Sequence, residues 1–175
     1  MTAESKTDFR VPTASKWAAP RAVVDAAGGL ILATAEIPAS PDRVFRALTT
    51  DEVERWWGHP DFYRMTGWTA DVRVCGEWRV TVHFADGSAN GGSGEFAEID
   101  VPGKIVMTRR FDKHPLLGTR ETTITYRLEP VANGTRVTLR DEGFIGRSQA
   151  AFGNAEHWER VLGWLHAYMG SAGGN

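Results

Sequence analysis

The sequence predicts an α+β domain in which a curved antiparallel sheet of six or seven strands wraps around a long C-terminal helix. Three observations carry this. Hydrophobic residues alternate with period two from about residue 68 to 143, glycine turns separate the alternating segments, and the apolar spacing becomes helical near the C-terminus. A meander with one dry face needs a cover, and the last amphipathic helix is the long element available for it.

Residues 1–20 mix charge, Pro12, Pro20 and isolated aromatics without periodicity and read as a flexible arm. One domain is expected over 21–170, with a short tail at 171–175. Ala22-Val23-Val24 and Leu30-Ile31-Leu32 flank Gly28-Gly29, the pattern of strand, tight turn and strand. Ser40-Pro41-Asp42 then supplies a side-chain cap, a first-turn proline and an acid at the positive helix end, predicting a helix near 41–48. Thr49-Thr50-Asp51-Glu52 has capping-box spacing and predicts a second short helix over 50–57, stopped by Gly58-His59-Pro60.

The meander follows. Trp68, Ala70, Val72 and Val74 alternate with polar residues, as do Trp78, Val80, Val82 and Phe84 after Gly76. Asp86-Gly87 opens a Gly/Ser/Asn stretch that reads as a loop to Gly94. Further strands are expected near 94–100, 104–111, 119–130 and 134–143. Asn154 is placed as the cap of the final helix, 154–169, whose stripe is Trp158, Val161, Leu162, Leu165 and Tyr168 or Met169.

Composition narrows the function. A net charge of -2 gives no basic excess for a polyanion, so nucleic acid is not expected as a partner. No apolar run approaches the ~20 residues of a membrane span, and the polar start Met1-Thr2-Ala3-Glu4 is unlike a signal peptide. The single cysteine, Cys75, excludes an intrachain disulfide; with these signs the expected location is the cytoplasm. Five histidines occupy five different contexts with no ligand spacing. No P-loop, dinucleotide or nucleophile-elbow pattern occurs, so neither metal nor cofactor is expected.

Three stretches resemble the START-like, or birch-pollen-allergen-like (SRPBCC), superfamily with its helix-grip fold. They are most similar to its branch related to the activator of the 90-kDa heat-shock-protein ATPase. The first is Ile37-Pro38-Ala39-Ser40-Pro41-Asp42-Arg43-Val44-Phe45-Arg46-Ala47-Leu48-Thr49 with Trp56-Trp57-Gly58. The second is Cys75-Gly76-Glu77-Trp78-Arg79 with the hairpin from Gly94 to Phe111. The third is Gly134-Thr135-Arg136-Val137-Thr138-Leu139 with the helix from Trp158 to Met169. Together they cover roughly residues 30–169. Cys75 and His157 stand where this branch usually carries glycine.

The resemblance implies an apolar cavity between sheet and last helix. Residues expected to line it are Trp56, Trp57, Trp68, Trp78, Met107, Phe111, Tyr126 and Phe144, with Trp158, Val161 and Leu165 from the helix side. Register adds two charged residues. Arg109 shares a face with Ile105, Met107 and Phe111, and Asp141 shares one with Val137 and Leu139. Both should point inward, either as a structural pair or with Arg109 holding a ligand's carboxylate or enolate; a bulge would instead put Arg109 outside. His157, placed at the start of the last helix, could reach the cavity mouth.

The expected function is a carrier or sensor of a small apolar or aromatic molecule, more a binder than an enzyme. An enzyme of the cyclase/dehydratase or hydrolase type would use Arg109 on an enolate and His157 or Asp141 for protons. The resemblance alone suggests a third role, contact with a chaperone. Pairing of two copies as a homodimer is left open.

Overall fold

The computed structural model describes residues 19–171, so the expected arm and tail lie, apart from their innermost residues, outside the described residues. The strands are β1 (Arg21–Asp25), β2 (Leu30–Ile37), β3 (Gly58–His59), β4 (Tyr63–Ala70), β5 (Glu77–Phe84), β6 (Ala89–Asp100), β7 (Lys104–Phe111), β8 (Thr122–Val131) and β9 (Gly134–Glu142). The helices are α1 (Pro41–Thr49), α2 (Val53–Trp56) and α3 (Ser148–Gly170). All neighbouring strands pair antiparallel, in the order β1-β2-β9-β8-β7-β6-β5-β4-β3. Nine strands exceed the expected six or seven because both strands of the early hairpin, β1 and β2, join the six of the meander, and the two-residue β3 adds a ninth. The helix-grip architecture is as the sequence predicts.

α3 lies on the concave face. It buries Ala150, Ala151, Trp158, Val161, Leu162 and Leu165 against inward residues such as Ile31, Ala33 and Leu139. Two polar contacts fix its rotation: Glu159 accepts from Ala22 N at 2.8 Å, and His166 Nδ1 lies 2.8 Å from Glu36 O. Tyr168 donates to Glu52 at 2.8 Å, and Glu52 also pairs with Arg43, tying α1, α2 and the end of α3 together.

Ser40 caps α1 as expected, its Oγ accepting from Arg43 N at 3.4 Å. Four local expectations need correction. The second helix is a single turn, 53–56, without a capping box: Glu52 spends its carboxylate on Arg43 and Tyr168. Val72 and Val74 are exposed in a loop, because residues 71–76 make a tight reversal with Cys75 at positive φ. The segment from Ala89 to Gly94 is strand and not loop. There Trp78 sits opposite Gly94, and a Cβ on Gly94 would collide with the Trp78 indole and the Thr108 carbonyl. Finally, α3 starts at Ser148, so Asn154 is no cap; it lies inside the helix, buried, donating to Ala150 O at 2.9 Å.

Candidate functional site

Alternation along β7 and β9 brings Arg109 and Asp141 onto the concave face, and the two side chains meet across β8. Arg109 donates to Asp141 Oδ2 at 2.8 Å and to Asn154 Oδ1 at 3.3 Å. Trp158 Nε1–H donates to the same Asp141 oxygen at 2.8 Å. The pair is joined by one hydrogen bond and not by a two-bond fork: Arg109 Nε and Asp141 Oδ1 are buried without a hydrogen-bond partner among the described residues. The guanidinium lies over the Phe111 and Trp158 rings, 5.5 Å from each centroid. Burial pushes the Asp141 carboxyl above the usual carboxylate range, against the opposing pull of Arg109 and the Trp158 N–H. Thr122 adds to that pull, although its hydroxyl makes no well-formed hydrogen bond. One polar knot therefore joins β7, β9 and α3.

Beside this knot lie two spaces. The inner one, about 40 Å³, is walled by Trp57, Trp68, Trp78, Met107, Arg109 and Tyr126, among others. Trp68 stacks on Trp78 with centroids 5.6 Å apart, and Trp78 Nε1–H donates to Thr108 O at 3.0 Å. The aromatic material thus packs largely against itself. Trp56 donates to Ala47 O at 3.0 Å, and Val161 and Leu165 are buried in the core; with Trp158 they line neither space.

The outer space is about 630 Å³, within the range of small-molecule sites. It opens between β4, β5, the first residues of β6, the loop after β7 and the N-terminal half of α3. Its apolar wall is Met65, Val82, Phe84, Phe111, Pro115 and Leu116. Its polar wall is Tyr63, Asn90, Lys113, His114, Asn154 and His157. Met65 and Phe111 border both spaces and separate them.

His157 sits two helical turns inside α3, not at its start, with part of its ring facing this space. Tyr63 Oη accepts from Trp57 Nε1 at 3.0 Å and lies 3.4 Å from His157 Nε2. Desolvation, reinforced by Arg109, Arg160 and His114, pushes His157 down to about 3. Desolvation also holds Tyr63 above the usual phenol range. Both are neutral near pH 7. The opposite lip is fixed by Asn90, which bonds the backbone of Lys113 through both its amide atoms. His114 Nδ1 then accepts from Leu116 N at 3.1 Å and Leu117 N at 3.0 Å, which folds the loop over the opening.

Among the named sequence candidates, His157 and Phe111 line the outer space. Tyr63, Met65, Lys113, His114 and Asn154 were not singled out. Tyr63 and Met65 do alternate with polar neighbours, but the bulge between Thr66 and Thr69 shifts the phase before Trp68, so they fall out of the Trp68 register. Loop residues Lys113 and His114 obey no period. Among the described residues, no His, Cys, Asp or Glu cluster could hold a metal ion, and no helix is long and apolar enough to cross a membrane.

The model of the family described as Activator of Hsp90 ATPase homolog 1-like protein matches residues 38–170. Similar solved structures include a protein from Arthrobacter aurescens, 25% identical, covering 88% of this chain and 94% of that one, with a TM-score of 0.75. Protein CV1439 from Chromobacterium violaceum is 24% identical over 79% of this chain and 96% of its own, with a TM-score of 0.69. The AHSA1-like protein from Aeromonas hydrophila is 18% identical over 83% and 95%, with a TM-score of 0.67. No curated protein matches the sequence.

Proposed function

We propose that this chain, which belongs to the Activator of Hsp90 ATPase homolog 1-like family, binds a small apolar or aromatic molecule in the outer space between sheet and α3. The observation that carries the reading is the cavity itself: about 630 Å³, with an aromatic and aliphatic wall and a few polar groups at its rim. Large rigid side chains such as Phe84 and Phe111 supply contact area with little rotamer entropy to lose. The ligand would rest on Met65 and Phe111, with the Trp68–Trp78 stack behind them as a rigid floor.

Binding without chemistry is favoured over catalysis by the proton inventory. A general acid or base works best when its pKa lies near the operating pH. His157 at about 3 and Tyr63 above the phenol range both hold their protonation state through neutrality. Asp141 is committed to Arg109 and Trp158.

Native mass spectrometry of the protein as purified, followed by titration with a neutral aromatic dye, tests the reading. A retained small molecule, or saturable dye binding that quenches tryptophan emission, is expected. Absence of both overturns it.

A further inference from the structure

Counting protons around the outer space separates hydrogen-bonding groups that are already satisfied from those that are not. Asn154 spends its amide N–H on Ala150 O and its oxygen on Arg109. Asn90 spends both amide atoms on Lys113. Ser88 gives its hydroxyl proton to Asp86 at 2.6 Å. What remains is Lys113, His114 and His157.

Lys113 Nζ carries three donors and has no ion-pair partner among the described residues. His114 accepts two backbone N–H groups at Nδ1, so its neutral ring keeps the proton on Nε2, a donor without a partner among the described residues. With Trp57 donating to Tyr63 Oη, the phenol proton goes to His157 Nε2, which leaves His157 protonated on Nδ1. On these three side chains the unspent polar capacity is donors throughout.

Charge points the same way. No Asp or Glu lines the space, although the chain as a whole carries a net charge of -2. The nearby Asp86 is engaged by the Ser88 N–H and hydroxyl, and Asp141 is held behind Arg109. The charged groups acting on His157 are Arg109 and Arg160, both basic. A neutral apolar ligand would cover the half-buried His114 and His157 without answering their N–H groups, at a cost to affinity.

We propose that the outer space selects amphipathic organic anions, with the aromatic body against Phe84 and Phe111 and the anionic oxygens toward Lys113 Nζ and His114 Nε2–H. The inference rests on the ligand-binding reading above and adds the class of ligand. Charge-assisted hydrogen bonds from a lysine and a histidine to an anion are short and strong.

Two dyes with one aromatic body test it: anilinonaphthalene sulfonate, which is anionic, and N-phenylnaphthylamine, which is neutral. Both are titrated at low salt into the wild type and into Lys113→Met, an exposed loop change. The sulfonate is expected to bind at least about tenfold tighter than the neutral dye, a difference of about 1.4 kcal/mol. Lys113→Met should remove most of that preference, while continued saturable binding of the neutral dye reports that the cavity is intact. Equal affinities in the wild type overturn the anion selectivity and leave ligand binding standing. A preference that survives Lys113→Met overturns the assignment to this lysine. Failure of both dyes to bind saturably overturns both readings together.

Discussion

His157 shows how one buried side chain sets a pH dependence. Its ring packs 5.8 Å from Trp158 and 5.6 Å from Tyr63, and the desolvation this brings, with three basic groups nearby, holds it at about 3 against the usual 6.5. The unfolded chain therefore takes a proton near pH 6.5 that the folded chain refuses. This contribution to stability is complete above about pH 6.5 and is lost progressively as the pH falls through about 3. His157→Phe keeps a ring of similar shape and cannot titrate. Between pH 7 and pH 4 the wild type should lose more stability than the variant by about 1–3 kcal/mol, an allowance that discounts for the part of the ring facing the cavity. Urea denaturation of both proteins across that range checks it; parallel pH profiles would show that His157 titrates normally in the folded state.

At the scale of elements, α3 serves two ends, and Gly153 separates them. This glycine lies four residues before His157 on the cavity side of the helix, and a Cβ added there meets nothing within 4 Å. An alanine should stabilise the helix by roughly 0.5–1 kcal/mol, since glycine in a helix interior costs about that much. A leucine would project into the outer space, so Gly153→Leu should keep or raise the melting temperature while abolishing dye binding. Loss of binding together with unfolding would show that the position is structural. How far such elements were legible depends on what their inward residues are made of. β5, β7, β8 and β9 alternate large apolar side chains, and their register alone turned Arg109 and Asp141 inward. The first half of β6 hides because Gly91, Gly92 and Gly94 have no side chain to alternate; strand pairing on both sides and the overlying Trp78 hold it. The first turns of α3 hide for a related reason. Ala150 and Ala151 are buried, yet they are too small to register as a stripe. The aromatic residues were read correctly as inward, but volume could not be read from the chain. Tryptophans that stack on one another fill the interior to about 40 Å³ and leave the larger space to β4, a loop and the helix face.

For the whole molecule, the question is what keeps a helix seated on a sheet that is open beside it. The Arg109–Asp141–Trp158–Asn154 knot bridges the two at the inner border of the cavity, with side-chain exposure of 6% for Arg109 and 0% for Asp141. Asp141→Ala strands a buried guanidinium and should cost roughly 3–5 kcal/mol in denaturant unfolding. Replacing both charges, Arg109→Met with Asp141→Leu, removes the charge problem but leaves Trp158 Nε1–H without an acceptor. An orphaned buried donor costs about 1–3 kcal/mol, so the double variant should recover only part of the loss. Adding Trp158→Phe deletes that donor, and the triple variant should approach wild-type stability while keeping the apolar contact between α3 and the sheet. The expected order, from most to least stable, is wild type and triple, then double, then Asp141→Ala. Non-additivity of this kind is the sign that the groups act as one unit. The same variants decide whether Arg109 serves a ligand directly. It borders the inner space and not the outer one, so the folded double and triple variants should still bind the neutral dye. If Arg109→Met abolishes binding in a folded protein while Asp141→Ala leaves stability unchanged, the arginine belongs to the ligand and the structural role is wrong.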